Sequence, residues 1–265
     1  MRDRLEFQKR YGPWAVVCGA SEGLGAAYAG QLAQKRLNLL LVARRAELLA
    51  DLSRRLCDQY QVEVRTLALD LSAPGSPAQI VAAAANLEVG LLVYNAALSA
   101  VGPLHDHPLE DHLREIDTNI RTPLRLVYQF SQAMLSRRRG GIILMSSLSS
   151  FWGSAYISNY AATKAYNTVL AEGLWEEWRE RGVDVLACIA GSIRTSNYIA
   201  SQPQQTRRFP GATLEPEQVA REALAALGRQ PRVIPGRINR LASFFMRRLF
   251  PRTAAVRMMG RILRG

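Results

Sequence analysis

The sequence predicts an α/β protein: a doubly wound parallel sheet of seven strands flanked by helices on both faces, with a basic helical C-terminal extension. Three observations carry this. Short apolar runs rich in branched residues alternate with stretches of helical period from the first dozen residues to about residue 235, the pattern of strand, helix and parallel strand. A glycine-rich turn joins the first apolar run directly to a helical stretch. No repeat, low-complexity tract or linker interrupts the 265 residues, 48% of them apolar, so a sizeable single core can form.

Strands are expected where apolar runs are too short for a buried helix. They fall at Trp14 to Cys18, Asn38 to Ala43, Val62 to Leu69, Val89 to Tyr94, Gly141 to Ser146, Val183 to Ile189 and, briefly, Arg232 to Ile234. Helices fill the intervals, where apolar residues recur at three and four: Gly23 to Gln34, Ala46 to Tyr60, Pro77 to Ala85, Leu109 to Ser136, Ser158 to Arg181 and Glu215 to Gly228. Residues 1–235 are read as one domain and 236–265 as its extension.

Composition removes several function classes. No run of eighteen apolar residues occurs and the start, Met1-Arg-Asp-Arg-Leu-Glu, is polar, so a cytoplasmic protein is expected, with a peripheral place at the inner membrane face left open by the tail. Cys18, Cys57 and Cys188 are odd in number and far apart, which encodes neither a disulfide framework nor a thiolate metal site. His105, His107 and His112 lack a second ligand cluster, so no metal is expected and a capping, solvent-facing role is assigned to them. The net charge of +12 is local. Ten arginines and no acid lie from Arg229 onward, and no aromatic platform accompanies them, so no nucleic-acid partner is expected.

The turn Gly19-Ala20-Ser21-Glu22-Gly23-Leu24-Gly25 follows the first strand and opens a helix. Glycines there permit positive φ and let backbone N–H groups approach a pyrophosphate at the positive end of the helix dipole. In a doubly wound sheet this first turn is where dinucleotides bind. At the end of the second strand, where a cofactor without a 2′-phosphate calls for an acid, stand Arg44 and Arg45. Two guanidiniums suit a 2′-phosphate, so NADP(H) is preferred over NAD(H), which stays admissible because Glu22 adds a like charge nearby.

Tyr160-Ala-Ala-Thr-Lys164 puts a phenol and an ammonium on one face of a helix. Only three lysines, Lys9, Lys35 and Lys164, occur in a chain that otherwise uses arginine, which singles out Lys164 as wanted for its compact, tunable charge. A nearby ammonium is expected to lower the Tyr160 pKa and make the phenol a workable general acid or base.

With these motifs the chain resembles the short-chain dehydrogenase/reductase family over roughly residues 12 to 235, and a Rossmann-type fold is implied. Gly19-x-x-x-Gly23-x-Gly25 is similar to that family's glycine spacing and unlike that of its extended epimerase and dehydratase relatives. By the resemblance, Asp70 and Leu71 contact adenine, Asn95 and Ala96 form the motif after strand four, and Gly191, Ile193 and Thr195 receive the nicotinamide carboxamide. Asn119, Ser147, Tyr160 and Lys164 make a catalytic tetrad, with Ser147 preferred over Ser146, Ser149 and Ser150 by its thirteen-residue interval to Tyr160. Three departures from the family pattern stand at supporting positions: Cys18 for threonine, Tyr94-Asn95-Ala96-Ala97 for Asn-Asn-Ala-Gly, and Ala190-Gly191 for Pro-Gly.

The resemblance implies carbonyl reduction or its reverse: hydride passes from nicotinamide to the carbonyl carbon while Tyr160 protonates the oxygen and Ser147 hydrogen-bonds it. Lys164 grips the nicotinamide ribose, and Asn119 holds a water through its main chain to complete a proton relay. Phe151 to Ile157 is expected to wall an apolar pocket, which suits a lipophilic carbonyl substrate. The stretches Tyr11 to Val17 and Leu87 to Val93 are also similar to the branch containing 3-oxoacyl-CoA reductases and 17β-hydroxysteroid dehydrogenases. Ser192 to Pro210, with Tyr198, Arg207 and Arg208, is expected as a lid, its two arginines either meeting a CoA phosphate or simply solvated. The helices Leu109 to Ser136 and Ser158 to Arg181 resemble those that pair subunits in this family, implying a homo-oligomer, a dimer or tetramer.

The tail places Ile238, Leu241, Phe245 and Leu249 at helical spacing with arginines opposite, then breaks at Pro251 before a second basic helix. Two readings stay open: the stripe lies on an anionic membrane, or it packs on this subunit or a neighbour. The rival to an enzyme is an NADP(H)-binding scaffold or a membrane-associated regulatory protein with little turnover.

Overall fold

The computed structural model describes residues 2–195 and 212–263 of the chain. The strands are β1 (Trp14–Cys18), β2 (Asn38–Ala43), β3 (Val64–Ala68), β4 (Val89–Tyr94), β5 (Gly140–Ser147), β6 (Val183–Ala190) and β7 (Arg232–Val233). They form one seven-stranded, Rossmann-type sheet in the order β3-β2-β1-β4-β5-β6-β7, with every pairing parallel. The helices before the tail are α1 (Arg2–Tyr11), α2 (Gly23–Gln34), α3 (Ala46–Tyr60), α4 (Ser76–Ala83), α5 (Leu109–Ile116), α6 (Thr122–Ser136), α7 (Ser158–Trp178) and α8 (Pro216–Ala226). The tail forms α9 (Arg237–Leu249) and α10 (Arg252–Leu263) on either side of Pro251.

Because side chains alternate along a strand, each strand feeds two apolar layers. Ala15 and Val17 of β1 join the layer that includes Leu24, Tyr28 and Leu32 of α2 and Val219 and Ala223 of α8. Val16 and Cys18 enter the opposite layer with Leu126 and Phe130 of α6 and Ala171 of α7. Strand order reverses between β1 and β4, so the chains leaving their carboxyl ends diverge and open a crevice there.

Two elements differ from the sequence expectation. The helix α1 precedes the first expected strand. It is polar, and tertiary bonds hold it: Arg10 Nε and Nη2 donate to Asp184 at 2.5 and 2.8 Å, and the Tyr11 hydroxyl donates to the same carboxylate at 2.6 Å. The single helix expected from Leu109 to Ser136 is α5 and α6 joined by a π-helical turn at Asp117–Arg121. Such widened turns release main-chain carbonyls from regular pairing, and they recur at functional sites. Here the Thr118 carbonyl accepts from the Tyr94 hydroxyl at 2.6 Å and the Asn119 carbonyl from Asn167 Nδ2 at 3.1 Å.

Candidate active site

The crevice at the strand ends is a cleft of about 460 Å³, within the range of small-molecule sites. Its lining brings together Gly19, Ser21, Glu22, Gly23 and Leu24 from the first turn, Arg44 and Arg45 from the end of β2, and Asp70 and Leu71 after β3. Asn95 and Ala96 after β4, Ser147 at the end of β5, Tyr160 and Lys164 on α7, and Gly191, Ile193 and Thr195 after β6 also line it. Gly25 and Asn119 stand behind this lining. The lid residues beyond Thr195, including Tyr198, Arg207 and Arg208, lie outside the described residues.

Backbone geometry explains the turn. Gly19 and Gly23 have φ of +79° and +54°, and a Cβ on Gly25 would lie 1.9 Å from the Gly19 carbonyl oxygen, so no side chain fits there. Asn95 Nδ2 donates to the same oxygen at 3.0 Å, while the amides of Asn95 and Ala96 both donate to Cys18 O at 3.0 Å. The motif after β4 therefore braces the turn after β1. Glu22 caps α2 without a side-chain hydrogen bond to the first N–H groups of that helix.

The two arginines after β2 are not equivalent. Arg45 Nη2 lies 2.5 Å from Glu22 Oε1 and donates to Ser21 Oγ at 3.1 Å, so its charge is engaged with the glutamate of the turn. Arg44 is exposed and has no ion-pair partner among the described residues. Asp70 accepts from Ser72 N at 3.0 Å and Ser72 Oγ at 2.9 Å. Burial raises its pKa, but these bonds and the charges of Arg114 and Arg44 outweigh that and hold the carboxylate below its ordinary range.

At the other end, Ser146 and Ser147 point opposite ways, as strand alternation requires. Ser146 is turned inward, donating to Lys164 O at 2.8 Å and bonded to Thr168 Oγ1 at 2.7 Å. Ser147 faces the cleft that Tyr160 also lines, and accepts from Ser149 Oγ at 3.0 Å. Asn119 is fully buried. Its Oδ1 accepts from Leu98 N at 2.9 Å, and its Nδ2 donates to Leu98 O at 2.8 Å and Thr163 Oγ1 at 3.0 Å. It thus ties the loop after β4 to α7. Its carbonyl, expected by resemblance to hold a water, accepts from Asn167, and a carbonyl has a second lone pair.

The Tyr160 pKa moves opposite to the expected direction, and burial is the cause. Lys164 Nζ donates to Met145 O at 3.0 Å and lies 5.5 Å from the Tyr160 ring centroid. Burial pushes the Tyr160 pKa up to about 12; the Ser147 hydroxyl works against the rise and the charge of Glu115 adds to it. Burial also pulls Lys164 down to about 8, against the Glu115 charge. The tyrosine is therefore a neutral phenol at pH 7, a proton donor.

Glu115 was not among the residues singled out from the sequence. It is 1% exposed on α5, accepts from Asn159 Nδ2 at 2.8 Å, and has its Oε2 3.9 Å from His112 Nδ1. Burial raises its pKa, with Asn159 and His112 opposing. An acid beside an apolar residue three before Asn119 looks like ordinary helix surface; only the fold turns it toward α7. His112 is correspondingly mostly buried, not solvent-facing, and it and His107 bond the main-chain carbonyls of Leu104 and Val101 at 2.9 and 3.0 Å. No metal-binding group occurs among the described residues.

The expected aromatic wall is also divided. Ile157 lines the cleft, beside Ala97, Leu98 and Leu148, but Phe151 and Trp152 line a second cavity on the far side of their segment. The segment turns between them, with Tyr156 at φ +66°. Among the described residues, the apolar side chains of the cleft near Tyr160 are therefore aliphatic.

Comparison with known proteins places this geometry. The family described as short chain dehydrogenase matches residues 13–206. A 7β-hydroxysteroid dehydrogenase of Clostridium sardiniense is 31% identical over 236 residues, covering 89% of this chain and 90% of its own. A solved structure of a 7β-hydroxysteroid dehydrogenase superposes with a TM-score of 0.89 at 28% identity, covering 96% of this chain and 98% of that one. A short-chain dehydrogenase from Sphingobium yanoikuyae, solved in complex with NADPH, superposes at 0.76 with 27% identity, covering 84% and 87%.

Proposed function

The chain belongs to the short-chain dehydrogenase family and is an NAD(P)-dependent oxidoreductase, and from that premise we propose that it reduces a ketone on a lipophilic, steroid-like substrate with NADPH. The observation that carries the reading is the cluster at the cleft floor, where the Tyr160 phenol and the Ser147 hydroxyl line the same cleft as a buried Lys164. A steroid ketone is favoured over a 3-oxoacyl thioester by the 7β-hydroxysteroid dehydrogenase relatives.

The residues present fit a dinucleotide. The N–H groups at the start of α2, which the Glu22 side chain does not cap, suit its diphosphate, Asp70 and Leu71 its adenine, and Gly191, Ile193 and Thr195 its amide end. Arg44, without an ion-pair partner among the described residues, is the charge available to a 2′-phosphate, and Arg45 neutralises Glu22 beside it. Bound and reduced, the nicotinamide would supply two electrons and a hydrogen to the carbonyl carbon. Tyr160 donates its proton to the carbonyl oxygen, and Ser147 donates a hydrogen bond to the same atom as negative charge grows there. Ser149, donating to Ser147, fixes that hydroxyl's direction. Lys164 is held in place by Met145, and Asn119 holds the distance between the loop at Leu98 and α7.

The test is turnover of NADPH and NADH over oxosteroids, 3-oxoacyl thioesters and aryl ketones, with Tyr160→Phe as the blank. NADPH consumption with an oxosteroid, lost in the variant, is expected; NADPH binding with no turnover on any carbonyl would overturn the reading. A homo-oligomer through α6 and α7 is proposed as well, because Leu124, Tyr128 and Val169 stand exposed on them. Light scattering of the native protein and of Tyr128→Glu checks it, a smaller mass in the variant being expected.

A further inference from the structure

The tail helix α9 is turned with its apolar side away from the protein. Ile238, Leu241, Phe245 and Leu249 fall within about 80° of helix circumference, and they are 63, 59, 46 and 68% exposed. The inward side is polar: Asn239 and Ser243 are buried. Asn239 fixes the rotation, accepting from Ala212 N at 2.8 Å and donating to Ala212 O at 3.1 Å. Arg240 reaches Glu222 on α8 at 3.6 Å. The fold thus holds the apolar stripe outward by specific bonds. Next to the stripe on the same helix stand Arg237 and Arg248, placed to extend their charges past it.

The end of α9 adds a second feature. Arg232, Arg247 and Arg252 converge on a cavity of about 390 Å³ that also includes Phe250, itself 47% exposed. Arg232 is bonded to Glu172 at 2.7 Å, leaving an excess of positive charge, and Arg247 lies over the Phe151 ring at 4.6 Å. Burial and then the charge of Arg232 lower the Arg247 pKa, so an anion there would relieve both.

We propose that α9, with this cavity, docks the protein on an anionic phospholipid bilayer, the apolar stripe entering the acyl boundary and the arginines meeting headgroup phosphates. Charge decides the occupant. From Arg229 to the end there are ten arginines and no acid, so a second copy laid on this face would oppose arginine to arginine along its rim. An anionic lipid surface satisfies both the stripe and the rim. Docking is peripheral, because no described helix is long and apolar enough to cross a membrane. None of the stripe residues is among the described residues that line the cleft, although Asn239 behind them lies beside Gly191 of that lining.

Flotation of the full chain with vesicles tests it. Phosphatidylglycerol-containing vesicles are expected to carry the protein at low salt at least about tenfold better than pure phosphatidylcholine, and high salt should release it. The exposed pair Phe245→Ser with Leu249→Ser should abolish flotation while NADPH turnover without vesicles is kept. The pair Arg237→Gln with Arg248→Gln, which spares the stripe, should weaken it by about fivefold per charge removed. No flotation of the native chain, or equal flotation of both variants, overturns the proposal. So does a native oligomer that the Phe245/Leu249 variant dissociates without any vesicle binding, which would assign the face to a second copy.

Discussion

The two ends of the cleft are built on opposite principles. At the chemical end Lys164, Asn119, Ser149 and Thr163 are buried, and their polar groups are tied to main chain or to one another. At the Arg44 end the charges stand largely in solvent: half of the Arg45 side chain is exposed in its pair with Glu22, and Arg114 and Asp70, 3.5 Å apart, are 51 and 43% exposed. Burial shifts proton affinities and fixes direction, so the inner end is suited to moving a proton. Solvated arginines hold little strain and adapt to a phosphate, so the outer end is suited to choosing a cofactor.

If that division is right, changes inside should act on kcat and changes outside on KM. The largest effect is expected from Tyr160→Phe, which removes the proton donor and keeps the ring: kcat should fall by about a hundredfold or more, with NADPH affinity by fluorescence titration unchanged. Ser147→Ala should lower kcat by about a hundredfold and leave the melting temperature near that of the native protein. A rise in KM alone in either variant would break the contrast. Arg44→Ala should raise the KM for NADPH by about tenfold or more and leave that for NADH nearly unchanged; Arg45→Ala should discriminate less between the two. Equal penalties for both cofactors would show that Arg44 does not read the 2′-phosphate.

The smallest expected effect sharpens the contrast through pH. Glu115 raises the pKa of both Tyr160, at about 12, and Lys164, at about 8. Removing its charge lowers both. In Glu115→Gln the alkaline decline of ketone reduction, as Lys164 loses its proton, should move to lower pH, and alcohol oxidation, which needs the tyrosinate, should gain at lower pH. Rate profiles in both directions between pH 6 and 10 measure this; superimposable profiles would confine Glu115 to packing.

Legibility followed the range of the interactions. The bounds of β1, α2, β2 and α3 are readable because each is set locally, by an apolar run, a glycine or a helical period. The Tyr160 and Lys164 pair is readable because four residues is one helical step. What stayed hidden depends on partners far away in sequence. The helix α1 is secured by Asp184, Arg45 is claimed by Glu22, and Glu115 becomes a neighbour of the site only when α5 lies on α7. The expected aromatic wall failed for a related reason: a run of residues names a segment, and only the backbone turn at Tyr156 decides which of its side chains look into the cleft.

The π-helical turn at Asp117–Arg121 holds one residue more than an ordinary helical turn. Loss of a single codon there would let the winding return to the ordinary helix with α6 still in phase, so Leu126 and Phe130 would keep their place in the interior. The residues inside the turn would be displaced, and Asn119 would no longer meet both Leu98 and Thr163. An in-frame deletion at this place should therefore give a folded protein with a damaged site, whereas one in the middle of α6 would turn the rest of that helix by about 100°.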